Sequence, residues 1–134
     1  MDDGVVEQDE LHARLRAWAR GIYPTEAATE LLIRTGFANP GAPWVKREPS
    51  GGIAPDDIWI DFASIPEHAG VLSSGEYRVV MFAASLSDVV DAPRVVIGDL
   101  ASVDSDWLTM LGAALVHAGG RREAWDQLPA HAFR

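Results

Sequence analysis

The stretch from Ser73 to Leu86 constrains this chain more than any other part of it. Ser73-Ser74-Gly75-Glu76 reads Ser-x-x-Glu, a capping box. In that motif the serine and glutamate side chains each satisfy a backbone N–H that the start of a helix leaves without a partner. Directly after it, Tyr77, Val79, Val80, Met81, Phe82, Ala83, Ala84 and Leu86 surround the axis of any helix drawn through them. A helix that is apolar on nearly all sides has to be enclosed by other elements. The sequence therefore predicts a bundle with this helix at its centre.

Other helices can be placed around it. From about Glu7 to Arg20, the spacing of Leu11, Leu15, Trp18 and Ile22 marks one apolar face. Acids at the N-terminal end, arginines 14, 16 and 20 near the C-terminal end, and Gly21 just beyond suit the helix dipole and a glycine stop. Pro24 then sits where a first helical turn accepts proline, with Glu26 adding favourable charge and Ala27, Ala28, Leu31 and Leu32 forming the stripe. Gly36 ends this helix, and the short link predicts an αα-hairpin. A last helix starts at Asp104 or Ser105, buries Trp107, Leu108, Met110, Leu111, Ala114, Leu115 and Ala118, and stops at Gly119-Gly120. A helical turn around Trp125 is expected in the tail.

Proline and glycine between residues 37 and 57 exclude a helix there. The flanking strings Trp44-Val45-Lys46-Arg47 and Ile58-Trp59-Ile60-Asp61-Phe62 are expected to pair as a small antiparallel hairpin. Residues 87–102 contain Pro93 and Arg94-Val95-Val96-Ile97, a third short strand or an extended segment packed on the core. The fold expected is mainly α, with about four helices: an αα-hairpin, a buried central helix and a C-terminal helix, with the hairpin on one side. One domain accounts for all 134 residues, with 1–6 and 126–134 expected to fray.

Charge narrows the range of partners. The net charge is −9, and residues 56–106 hold ten acids against two bases, Arg78 and Arg94. Such a field disfavours direct contact with nucleic acid and favours a protein partner, a basic one included. Zero cysteine removes disulfides, thiolate nucleophiles and cysteine-ligated zinc. No apolar run is long enough to span a membrane. The cytoplasm is the expected location, and homo-oligomer formation stays open.

Motifs for chemistry are sparse. Leu72-Ser73-Ser74-Gly75-Glu76 resembles the signature turn of ABC-type ATPases, and Val95-Val96-Ile97-Gly98-Asp99 follows as an apolar run ending in an acid. No Gly-x-x-x-x-Gly-Lys-Ser/Thr string accompanies it, and the one lysine, Lys46, lies in the Pro/Gly-rich stretch. His12, His68, His117 and His131 are each isolated, and no metal or cofactor is expected. His117, late on the last helix, reads as a structural residue in the field of the helix dipole. No Gly-x-Ser-x-Gly elbow occurs. Asp61, Asp99 and Asp104 are the carboxylates that an enzyme of unrecognised type would use.

Five tryptophans remain. Trp18 and Trp107 fall on apolar helix faces and are expected in the core. Trp44 and Trp59 lie on the hairpin, where they are either anchors for a partner or a lid over the core. With the adjacent Asp56 and Asp57 they form the candidate partner-binding set.

Several strings are similar to a group of small uncharacterised actinobacterial proteins often met near mobile genetic elements. They are Trp18-Ala19-Arg20-Gly21, Glu26-Ala27-Ala28-Thr29-Glu30-Leu31-Leu32-Ile33, Ser73-Ser74-Gly75-Glu76, Ala83-Ala84-Ser85-Leu86 and Ala114-Leu115-Val116-His117-Ala118. These are packing and capping strings, and the resemblance implies no activity. The function expected is a non-enzymatic protein-interaction or regulatory module. The alternatives are an acidic mimic that occupies a nucleic-acid-binding protein, and an enzyme with an unrecognised carboxylate site.

Overall fold

A computed structural model of the chain describes residues 3–47 and 58–128, with the side chains of 3–6 outside that description. The helices are α1 (Asp3–Ala19), α2 (Tyr23–Thr35), the single turn α3 (Ile65–His68), α4 (Ser74–Leu86) and α5 (Ser105–Ala118). Strands β1 (Val45–Lys46) and β2 (Trp59–Ile60) form the two-stranded sheet. Four 3-10 segments, Phe62–Ser64, Ala69–Val71, Ile97–Ser102 and Arg122–Gln127, fill the connections. The fold is mainly helical with a small antiparallel sheet, as the sequence predicts.

Local chemistry accounts for most boundaries. Pro24 occupies the first turn of α2. Gly36 closes that helix at φ 89°, a left-handed conformation that costs glycine little, while Phe37 N–H returns to the Leu32 carbonyl at 2.8 Å. The capping box at α4 is complete: Glu76 N–H donates to Ser73 Oγ at 3.3 Å, and Ser73 N–H donates to Glu76 Oε1 at 3.0 Å. Asp104 caps α5 by accepting from Asp106 N–H at 2.9 Å. The strands pair antiparallel with Val45 opposite Ile60 and Lys46 opposite Trp59.

The most enclosed element is α2, every residue of which from Thr25 to Ile33 is buried. It packs most extensively on α5, then on α4 and α1. The α4 helix supplies Val79, Val80, Phe82, Ala83 and Ala84 to the same core, while Tyr77 reaches the surface. The buried line of α1 is Leu11, Leu15 and Ala19, so Trp18 is 39% exposed and Ile22, beyond the helix end, is exposed too. A spacing of four at each step carries the contact line away from Trp18, whose ring instead stacks over Phe62 at 6.4 Å. On α5 the buried residues are Met110, Leu111, Ala113, Ala114 and His117, with Trp107 half-buried against Phe37. Leu108 and Leu115, expected inside, face outward. Residues 88–96 form neither strand nor helix, and Ile97–Ser102 is a 3-10 turn.

Candidate functional site

Burying every face of α2 brings two carboxylates inside, Glu26 and Glu30, one helical turn apart. A buried carboxylate needs partners, and both have several. Glu26 Oε1 accepts from His117 Nε2 at 2.9 Å and from Arg122 Nε at 2.7 Å. Its Oε2 accepts from Arg122 Nη2 at 2.8 Å and from the Gly21 backbone N–H at 2.7 Å. Those four bonds fill the lone-pair positions of one carboxylate. Glu30 accepts a two-pronged pair from Arg16, at 2.9 and 2.8 Å, and a third bond from Arg34 Nε at 2.7 Å.

The histidine is oriented by a further contact. Trp125 Nε1–H donates to His117 Nδ1 at 2.9 Å, both groups being buried. Because an indole nitrogen only donates, Nδ1 has to accept, which puts the imidazole proton on Nε2, facing Glu26. The Tyr23 and Trp125 rings lie edge-on to His117, each at 6.4 Å. Arg34 stacks over Trp125 at 4.7 Å and Arg122 over Tyr23 at 4.9 Å. One cluster thus ties α1, the centre of α2, the end of α5 and the C-terminal 3-10 turn together.

These contacts set the carboxyl pKa values. The hydrogen bond from Arg122 is the largest influence on Glu26; with those from Gly21 and His117 it outweighs burial and holds the group at about 2. Burial pushes Glu30 up, but the hydrogen bonds from Arg16 and Arg34 together overcome it, and its pKa lies below the ordinary value. Both glutamates are therefore charged near neutrality. Together with Arg20 and Thr29, these residues line an open cleft of about 150 Å³.

The residues singled out from sequence fall elsewhere. Trp44 is 3% exposed, and its Nε1 donates to the Phe37 carbonyl at 2.9 Å. It is part of the core and is not available as a surface anchor. Trp59 is half-buried, with a shielded Nε1 that has no hydrogen-bond partner among the described residues. Asp56 and Asp57 lie outside the described residues. Asp61 precedes the first 3-10 turn, Asp99 sits in the Ile97–Ser102 turn and Asp104 is committed as the α5 cap. No group of three histidine, cysteine or acidic side chains suited to a metal ion occurs among the described residues. No described helix is long and apolar enough to cross a membrane.

A second feature is the outer face of α5. Leu108, Leu115 and Val116 are 39, 56 and 47% exposed, and Gly112 and Gly119 are exposed between and beyond them. Spacings of 4, 3, 1 and 3 put all five on one side of the helix. From Trp107 to Gly120 the chain holds no Asp, Glu, Lys or Arg, and its one histidine points inward. Sequence reasoning assigned Leu108 and Leu115 to the core because α5 is apolar all round, leaving periodicity nothing to discriminate. No protein-family model, curated protein or solved structure matches this chain.

Proposed function

We propose that the protein is a non-enzymatic interaction module that works through the outer face of α5, and that the contact this face makes is with a second copy of the chain. The observation that carries the reading is the exposed apolar stripe Leu108–Gly112–Leu115–Val116 on a protein of net charge −9. An uncharged apolar seam along a helix of a strongly charged protein is the pattern of a contact site.

Symmetry and charge favour a second copy as the occupant. A two-fold axis at Gly112 sets residue 108 opposite 116 and residue 104 opposite 120, so the leucine of one copy meets the valine of the other. Asp104 and Asp106 then approach the partner's Arg121, which lines the same face as Gly112, Val116 and Glu123. Gly112 has no atom within 4 Å of where a side chain would begin, which leaves the middle of the seam open to a neighbouring backbone. The buried polar cluster supports a non-enzymatic role. Both nitrogens of His117 and all four lone-pair positions of Glu26 are engaged, which leaves neither group disposed to move a proton to or from a substrate.

Analytical ultracentrifugation from about 1 to 500 µM tests this, a range that spans micromolar dissociation constants. The wild-type chain should dimerise, and Leu115→Asp should be monomeric with an unchanged circular dichroism spectrum. A wild-type protein that stays monomeric at the highest concentration rejects the proposal.

A further inference from the structure

The cleft beside the α2 glutamates has a charge opposite to that of the whole protein. Its lining includes Arg16, Arg20, Arg34 and Arg122 against Glu26 and Glu30, four positive charges and two negative, or +2. His117 adds none in the tautomer that its hydrogen bonds require. Within a chain of net charge −9, this is a concentrated positive site, and it lies apart from the α5 seam.

Two further observations point to a ligand there. The Arg20 guanidinium makes no hydrogen bond or ion pair with the other described residues, although Arg20 lines the cleft. Arg16 and Arg122 each spend two of their five N–H donors on a glutamate, leaving three apiece. Thr29 also lines the cleft. It is 1% exposed, and its Oγ1 has no hydrogen-bond partner among the described residues. Burying a hydroxyl without a partner is unfavourable. Thr29 lines the same cleft, so a bound acceptor that reached this oxygen would satisfy it.

From these groups we infer that the cleft binds a small dianionic oxyanion of the phosphate class, either free phosphate or the phosphate of a small monoester. Two negative charges match the surplus of +2. Planar guanidinium groups with spare N–H donors suit phosphate oxygens. The cleft is open to solvent and, at about 150 Å³, has room for a tetrahedral anion. The Trp125 indole, which lines the cleft and donates to His117, is the built-in reporter.

The test is a titration of inorganic phosphate at constant ionic strength, kept with sodium chloride, read by calorimetry and by the Trp125 indole N–H resonance. Parallel titrations use glycerol phosphate and malonate. Saturable binding should appear for phosphate. Arg20→Ala, which removes an exposed side chain, should weaken it about tenfold, the usual scale for one charge-assisted bond. Thr29→Val, which keeps the shape, should weaken it by several-fold. Tighter binding of glycerol phosphate identifies a monoester as the natural occupant; equal or weaker binding identifies free phosphate. Absence of a saturable change in the indole resonance overturns the inference, as does binding undiminished in both variants. Malonate binding as tightly as phosphate overturns the assignment to the phosphate class.

Discussion

At the scale of single residues, Glu26 couples the fold to pH. A carboxyl group whose pKa is lower in the folded than in the unfolded chain stabilises the fold above its unfolded pKa, and that contribution is lost as pH falls through the folded value. For Glu26 the window runs from the ordinary 4.5 down to about 2, and Glu30 acts in the same direction. The contribution of Glu26 and Glu30 should therefore be constant from neutrality to about pH 5, and urea midpoints should fall steadily below it. Glu26→Gln should cost about 2 kcal/mol at pH 7, the scale of hydrogen bonds to a charged group, and should flatten the acid limb. An acid limb as steep in the variant as in wild type would show that Glu26 is not its source. Thr29→Val carries the opposite expectation in the absence of phosphate, because it removes a buried donor that nothing satisfies: its urea midpoint should equal or exceed that of wild type. Little of this chemistry was legible in the sequence. Glu26 reads as a first-turn acid and His117 as a last-turn cation; both positions are correct, but the bonds of His117 to Trp125 and Glu26 make its ring neutral. Their contact spans 91 positions and depends on α2 being buried on all sides. The one available signal was two acids at i, i+4 interleaved with Ala27, Ala28, Leu31 and Leu32.

Helix ends were far more legible than helix faces. Caps are local chemistry: Ser73 with Glu76, Asp104, Pro24 and Gly36 each act within a few residues of where they stand, and each marks the boundary its residue type implies. Ser73→Ala should accordingly cost about 1 kcal/mol. Gly36→Ala should cost a similar amount, because φ is 89° and nothing lies within 4 Å to clash or to gain contact. Thermal unfolding of the two variants checks both figures, and a Gly36→Ala protein as stable as wild type would contradict the strained-backbone argument. Faces depend on what a helix meets, which the sequence does not print. On α1 the contact line follows residues 11, 15 and 19 and leaves Trp18 outside. Among the tryptophans, Trp44 and Trp125 are buried while Trp18 is the most exposed of those described, a ranking that hydrophobicity alone does not supply. The β1–β2 pair was legible because two strand-forming strings flank a stretch rich in proline and glycine.

For the whole molecule, the glycine at the centre of the uncharged α5 seam separates the effects of packing and stability. Glycine inside a helix is unfavourable relative to alanine by about 0.5–1 kcal/mol, through the extra freedom of the unfolded chain. Gly112 has an ordinary helical backbone and open space where a methyl group would go, so Gly112→Ala should stabilise an isolated monomer by about that amount. If two α5 helices cross at Gly112, the same methyl group holds the backbones apart and weakens the dimer. The two effects have opposite signs in one variant. At about 1 µM, where monomer dominates, Gly112→Ala should melt at a higher temperature than wild type. At several hundred micromolar that advantage should shrink or reverse, because the wild-type chain gains stability from association that the variant has partly lost. Leu115→Asp should show no dependence on concentration at all. A Gly112→Ala protein that gains the same stability at both concentrations would mean that the centre of the seam is not where two copies meet, even if they meet elsewhere on the surface.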